Sequence, residues 1–380
     1  MRQIYLDYNA TTPIALSVVE LMNPFLTGHH GNPSSTHAMG RAAKEAIEDS
    51  RVKLAGLLGC DSKEIVFTSG GTESNNMALK GVMFQGQPGH GHMVISAIEH
   101  PAITEPARFL ERIGYEVTVV PCDEQGFVHP SSVESALRAD TKLVSVMHAN
   151  NEIGTIQPIR QIAEICHGRN ILLHTDASQS VGKIPSYVDQ LDVDLLTLAG
   201  HKIYGPKGIG VLFVRDGISL ESFMHGAGHE NGVRAGTENT PYIVGLGQAA
   251  HLAANCLDES ADSMTRLRDR LNDRLVNAIP GLQVNGAKAK RLPNTLSVSF
   301  PGVSGQEILQ RAPELCASTG AACHSSGLVS SVTLAAMGKS ASEMAGTVRL
   351  SVGWYSSEEE VDRASNLLID AWENLSVGVS

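Results

Sequence analysis

Between about residues 40 and 215, short apolar runs alternate with segments of helical period, and this alternation restricts the fold more than any other feature of the chain. Ile65–Phe67, His92–Ser96, Val117–Val120, Leu143–Met147, Ile171–Leu173, Leu195–Leu198 and Gly210–Val214 read as buried strands. Amphipathic stretches such as Arg41–Leu58 and Ile159–His167 lie between several of them. The pattern predicts an α/β fold with a mainly parallel sheet between layers of helices, in which ligands sit beyond the carboxyl ends of the strands. At 380 residues, 42% of them hydrophobic, the chain can build a full core and two or three domains. A glycine-rich stretch at 226–247 precedes a helical segment at 249–278. Then come Leu296–Phe300, a small-residue run around Cys323, Val348–Val352 and a final helix at 358–375. This second pattern predicts a smaller α/β domain that begins near residue 257.

The formal net charge of −11 argues against direct nucleic-acid binding, which needs a basic face to neutralise phosphates. No run of about 18 apolar residues occurs, so no membrane-spanning helix is expected. The start, MRQIYLDYNATTP, has no signal-peptide core, and the expected location is the cytoplasm. None of the six cysteines forms a C-x-x-C pair, so neither a metal site nor a disulfide framework is expected. Cys60, Cys122, Cys166, Cys256 and Cys316 read as buried, inert thiols. Cys323 lies among small residues, ASTGAACHSSG, that give access and mobility, the setting in which thiol reactivity is useful. The GHGH at 89–92 reads as a solvated turn.

Three segments carry recognisable chemistry. In IVFTSGGTESNN a strand runs through Gly70 and Gly71 into a helix at Thr72, either a plain strand-to-helix turn or bare amides for a phosphate. In ILLHTDASQ, Asp176 directly follows a strand, where it caps the next helix or pairs with a cationic ring nitrogen. In LLTLAGHKIYGPKGIG, Lys202 falls between an apolar strand and a glycine-rich turn. Partial desolvation there lowers its pKa toward the neutral amine a Schiff base requires. A phosphate nest, an acid for a pyridinium and a lysine for an aldehyde together describe a site for pyridoxal 5'-phosphate (PLP).

With these segments in place, the chain resembles the cysteine desulfurases, class V aminotransferase-like PLP enzymes of fold type I that also include the selenocysteine lyases. LDYNATTP, GNPSSTH, EIVFTSGGTESNN, Glu99-His100, ANNEIGTIQP, HTDASQS, GHKIYGPKGIG, RAGTEN, RLPNT, GAACHS and VRLSVG carry the resemblance, in order, from residue 4 to about 360. It implies a large PLP-binding domain at 14–256 and a small domain made of 1–13 and 257–380. It implies that Lys202 holds PLP, that Asp176 pairs with the ring nitrogen, and that His100 stacks on the ring and moves protons. Asn151 and Gln179 would contact the ring oxygen. Gly71, Thr72 and His201 would bind the phosphate, with Thr237 arriving from the second subunit of a homodimer. Arg349 would clamp the substrate carboxylate, with Asn32 nearby, and Cys323 would be the nucleophile. The implied reaction converts L-cysteine to L-alanine, with a persulfide on Cys323 passed to an acceptor or scaffold protein. The alternative is release of selenium from L-selenocysteine.

Three departures stand out. Many relatives carry a hydroxyl where this chain has Ala199, so one phosphate hydrogen bond is expected to be missing. Trp354 stands where Arg is frequent, which implies altered contacts to substrate or partner. HSSGLV after Cys323 lacks the Glu-Pro of many housekeeping desulfurases.

Overall fold

The structure, a computed structural model, describes residues 3–222, 224–319 and 331–376. Its strands are β1 (Ile4–Tyr5), β2 (Ile65–Thr68), β3 (His92–Ser96), β4 (Glu116–Val120), β5 (Thr141–Ser145), β6 (Leu172–Asp176), β7 (Leu195–Ala199), β8 (Gly210–Val214), β9 (Gln283–Val284), β10 (Thr295–Ser299), β11 (Leu315–Cys316) and β12 (Thr347–Ser351). Seven form one sheet in the order β2-β8-β7-β6-β5-β3-β4. The pairs β4-β3, β3-β5, β5-β6 and β6-β7 are parallel. The residues of β3, β5, β6 and β7 are almost all buried, as expected where helices cover both faces, whereas in the edge strand β4 only Val120 is buried.

β8 departs from the parallel expectation and runs antiparallel to both β7 and β2. The physical reason is the link: residues 200–209 are too few for a helical crossover, which needs about a dozen residues or more, so the chain reverses. β2 consequently points the same way as β7. The carboxyl ends of β2, β3, β5, β6 and β7 therefore open on one side of the sheet.

The GHGH reading is corrected in part. His90 is exposed, but His92 is the first residue of β3 and fully buried, its ring nitrogens bonded to the hydroxyls of Thr141 and Thr118, each at 2.8 Å. Two hydroxyl partners satisfy both nitrogens, which is what makes the burial of a polar ring tolerable.

The later part of the chain builds a three-stranded antiparallel sheet, β12-β10-β9, and a short parallel pair, β1-β11. The core around them joins Ile4 and Leu6 to Met264, Leu267 and Leu271 of the helix Leu257–Ala278, to Leu296 and Val298, and to Val361 and Leu368 of the helix Glu358–Ser376. The amino-terminal strand thus packs with the carboxyl-terminal part. The helical segment anticipated at 249–278 is two helices, Thr240–Asn255 and Leu257–Ala278, which meet at Cys256. Among the described residues no helix is long and apolar enough to cross a membrane.

Candidate active site

A cavity of about 360 Å³ lies at the carboxyl ends of the large sheet and is lined by Gly71, Thr72, His100, Asn151, Asp176, Gln179, His201, Lys202 and Arg349. Nine residues named from the sequence therefore converge there, from five strand ends of the large sheet and from β12. Asn32 and Thr237 do not line it. Both are exposed, and the Asn32 Oδ1 accepts the Ser34 amide at 2.9 Å. Cys323 lies outside the described residues.

The glycine turn after β2 leads directly from strand to helix. Gly70 has φ +148° and ψ 179°, a conformation open almost only to glycine, and delivers the chain into the helix Gly71–Met83. The first amides of that helix have no partner within it, an arrangement that suits an anion.

Asp176 closes β6. Its Oδ2 accepts the side-chain amide of Asn75 at 2.7 Å and its Oδ1 accepts the backbone amide of Ser178 at 3.0 Å. It is 8% exposed. Two donors hold the carboxylate in place beside the cavity.

Lys202 follows β7 in a short 3₁₀ turn. Its Nζ donates to the carbonyls of Asn9 (2.5 Å) and Ala10 (2.9 Å). Burial pushes the amine down to about 8; Arg349 adds to the shift, while Asp176 and Asp7 oppose it. That value leaves an appreciable neutral fraction near physiological pH, which a nucleophilic amine requires. His100 caps the helix Pro101–Arg112, its Nδ1 accepting the Ala102 amide at 3.0 Å. In the neutral ring the proton therefore sits on Nε2. Burial keeps this imidazole below its ordinary value, as it does His201, which falls to about 4.

Several functional positions carried no local signal. Asn9, 1% exposed, is a hub: its carbonyl accepts hydrogen bonds from Lys202 Nζ and Gln179 Nε2, its Nδ2 donates to the Asn151 carbonyl and Thr295 Oγ1, and its Oδ1 accepts from Asn294 Nδ2. Asp7 holds Arg349 through Oδ1–Nη2 at 2.7 Å, while Arg349 Nη1 donates to the Asn151 carbonyl and its buried Nε has no partner among the described residues. Lys183 is buried, donates to the carbonyl and side-chain oxygens of Gln179, and is pushed by burial down to about 7. Asn75 and Ser178 belong to the same set.

Trp354 does not line the cavity. Its ring stacks on Tyr204 at 3.7 Å and 12°, and its amide donates to the Tyr204 hydroxyl at 2.6 Å. Tyr204 holds a left-handed φ of +65° two residues after Lys202, so the tryptophan braces a strained turn. Of the thiols read as inert, only Cys166 is fully buried; Cys60, Cys122, Cys256 and Cys316 are half-buried. Short side chains at element ends keep one edge toward solvent. Burial still pushes Cys60 and Cys166 up to about 12 and Cys122 up to about 11, which disfavours the thiolate.

Glu99 supports the site from below. Its Oε1 accepts the Ser96 hydroxyl at 2.5 Å and the Met147 amide at 2.8 Å, and its Oε2 has no partner among the described residues. Burial raises its pKa to about 8, and the charge of Asp176 adds to the rise. The folded state thus binds a proton that the unfolded state has released, between pH about 4.5 and 8, and stability falls with pH across that window. Glu99→Gln keeps both accepted hydrogen bonds without the charge. Its melting temperature is expected to gain on the wild type as pH rises from 5 to 8 and to match it near pH 4. Parallel melting curves across this range would refute the protonated state.

The surroundings fit PLP. A glycine turn offers amides for a phosphate, a fixed carboxylate faces the cavity, and a lysine of lowered pKa stands across from a partly unpaired arginine.

A model of the class-V aminotransferases matches residues 4–364. A cysteine desulfurase IscS of Dictyoglomus turgidum is 45% identical over 369 residues, covering 97% of this chain and 94% of that protein. Cysteine desulfurase IscS 1 of Archaeoglobus fulgidus is 44% identical over 373 residues, covering 98% and 97%. Among solved structures, a NifS-like protein superimposes with a TM-score of 0.90 at 38% identity, covering 99% of this chain and all of that one. SspA in complex with cysteine superimposes with a TM-score of 0.83 at 37% identity, covering 93% and 99%. With its cavity chemistry and near-full-length likeness taken together, the chain belongs to the class-V aminotransferase family and, within it, to the PLP-dependent cysteine desulfurases.

Proposed function

We propose that the chain converts L-cysteine to L-alanine and passes the sulfur, as a persulfide on Cys323, to an acceptor protein. The observation that carries this reading is the meeting of Lys202, Asp176 and Arg349 in one cavity, delivered by β7, β6 and β12. Arg349 receives the substrate carboxylate through its unpaired Nε edge, already oriented by Asp7. PLP, when bound, supplies the electron sink that makes the α-proton of an amino acid removable. Lys202 moves that proton, its amine held by Asn9 and Ala10 at the cavity wall. Asp176, fixed by Asn75, would pair with the ring nitrogen, and His100, whose Nδ1 is taken up by the Ala102 amide, would face the ring through Nε2.

The two ends of the segment that contains Cys323 support its assignment as nucleophile. Ser318 exchanges backbone hydrogen bonds with Arg349, at 2.7 and 3.3 Å. Ser331 donates to Glu152, and Thr333 accepts from Asn150, both next to Asn151. Cys323 is five residues beyond Ser318, a chain reach of up to about 17 Å. Its thiolate forms the S–S bond as the substrate C–S bond breaks. The electron pair remains on the β-carbon, which takes up a proton. Thiol plus cysteine yields persulfide plus alanine, with no external oxidant.

We take the large PLP-binding domain as 14–256 and the small one as 1–13 with 257–380, on the separate cores and the helix break at Cys256. A homodimer would bring Thr237 to the phosphate of the second subunit. The exposed Leu16, Val19 and Leu26 favour it, on a helix that packs against Thr240–Asn255, just after Thr237. The free thiols favour a reducing cytoplasm.

Incubation with L-cysteine, followed by mass analysis, should yield alanine in step with sulfur added to the Cys323 peptide; selenocysteine offered in parallel tests the other substrate. No alanine from the cofactor-loaded protein would sink the reading. Arg349→Lys is expected to raise KM for cysteine by about 10- to 100-fold, because a point charge cannot replace a forked guanidinium. The visible absorbance of the bound cofactor should not change. An unaltered KM would remove Arg349 from substrate binding.

A further inference from the structure

The hydroxyl of Ser178 is unassigned, and its position is specific. A β-carbon placed on Gly71 would lie 3.3 Å from Ser178 Oγ and 3.4 Å from the Ala199 β-carbon. Both side chains therefore lie within contact of the space in front of Gly71, the first residue of the helix Gly71–Met83. All three residues line the cavity. The Ser178 backbone N–H donates to Asp176 Oδ1, which fixes the turn, while its hydroxyl has no hydrogen-bond partner among the described residues. Ala199, its neighbour on that wall, has no donor to offer.

We propose that Ser178 Oγ donates a hydrogen bond to the phosphate of PLP, beside the amides of Gly71 and Thr72, and so supplies the hydroxyl that residue 199 lacks. The inference rests on the PLP site argued above. The amides at the helix start attract the dianion, and a hydroxyl over Gly71 meets a phosphate oxygen where only apolar surface would otherwise face it. Hydrogen bonds to charged acceptors are the stronger kind, so the loss should be visible as affinity.

The test is binding of the cofactor to the apoprotein, followed by absorbance, with pyridoxal as a second probe that has the aldehyde and lacks the phosphate. Ser178→Ala should bind PLP about 10- to 100-fold more weakly than the wild type, with an unchanged absorbance maximum. Pyridoxal should bind both proteins equally. The double variant Ser178→Ala with Ala199→Ser should regain most of the affinity, since the new hydroxyl occupies the adjacent position. Equal PLP affinity of Ser178→Ala and wild type would overturn the proposal. So would a loss shared by pyridoxal or joined to a spectral shift, because that would trace the effect to a disturbed Asp176. A wild type that took up no PLP would instead overturn the cofactor site itself.

Discussion

Replacing Cys323 by alanine is expected to leave a protein that binds PLP with its normal visible absorbance but transfers no sulfur from cysteine. Transfer should fall by at least about a thousandfold, since the other groups cannot stand in for a missing nucleophile. The described thiols offer no substitute. Cys60, Cys122, Cys166 and Cys256 are held as thiols by burial, and Cys316 pairs in β11 at the foot of the segment that leads to Cys323. The discriminating measurement is the mass of the Cys323 peptide after incubation with cysteine, in wild type and variant. Normal transfer by Cys323→Ala, or full activity of Cys323→Ser, would point to a lyase or aminotransferase that uses no protein thiol.

The second large effect concerns Lys202. Borohydride reduction of the cofactor-loaded wild type should fix a pyridoxyl group on the peptide that contains Lys202, and Lys202→Ala should show none. Alanine formation by the variant is expected to drop by about 10⁴-fold or more, because covalent attachment and proton transfer disappear together. The variant should still bind PLP non-covalently, since the Gly71–Thr72 turn and Asp176 do not depend on the lysine. Labelling of another lysine would relocate the site. Lys183 is the sharpest control, as it is also buried and also depressed in pKa, but it donates to Gln179 and does not line the cavity.

The two lysines illustrate how unevenly the site could be read beforehand. Lys202 stood out because an apolar strand and a glycine-rich turn bracket it, and both are local facts. Gly71 and Asp176 were legible in the same way, each at the end of an apolar run. Lys183 has no such setting in GKIPSY, and nothing near it in sequence indicates that it is buried. Asn9 and Asp7 were harder still. Their partners Thr295, Asn294 and Arg349 lie 285 to 342 residues away. β8 was legible as a strand but not as an antiparallel one, because its direction depends on a ten-residue link that cannot cross the sheet. The run His92–Ser96 marks His92 as the start of a buried strand, but the hydroxyls from β4 and β5 that satisfy its ring, and so remove it from the GHGH turn, are not local.

The elements, their order and the kinds of residue at their ends follow from local sequence. Strand and helix formation follow from short-range periodicity, and glycine turns from backbone sterics. Which ends meet is a property of the packed fold. That fold sets Asp7 from the amino terminus against Arg349 of β12, Asn75 against Asp176, and both Ser178 and Ala199 in front of Gly71 at a helix start. Hydrogen bonds and desolvation act over a few ångströms of space whatever the separation along the chain. The tuning of Lys202 and Glu99 therefore existed only once the fold had enclosed them.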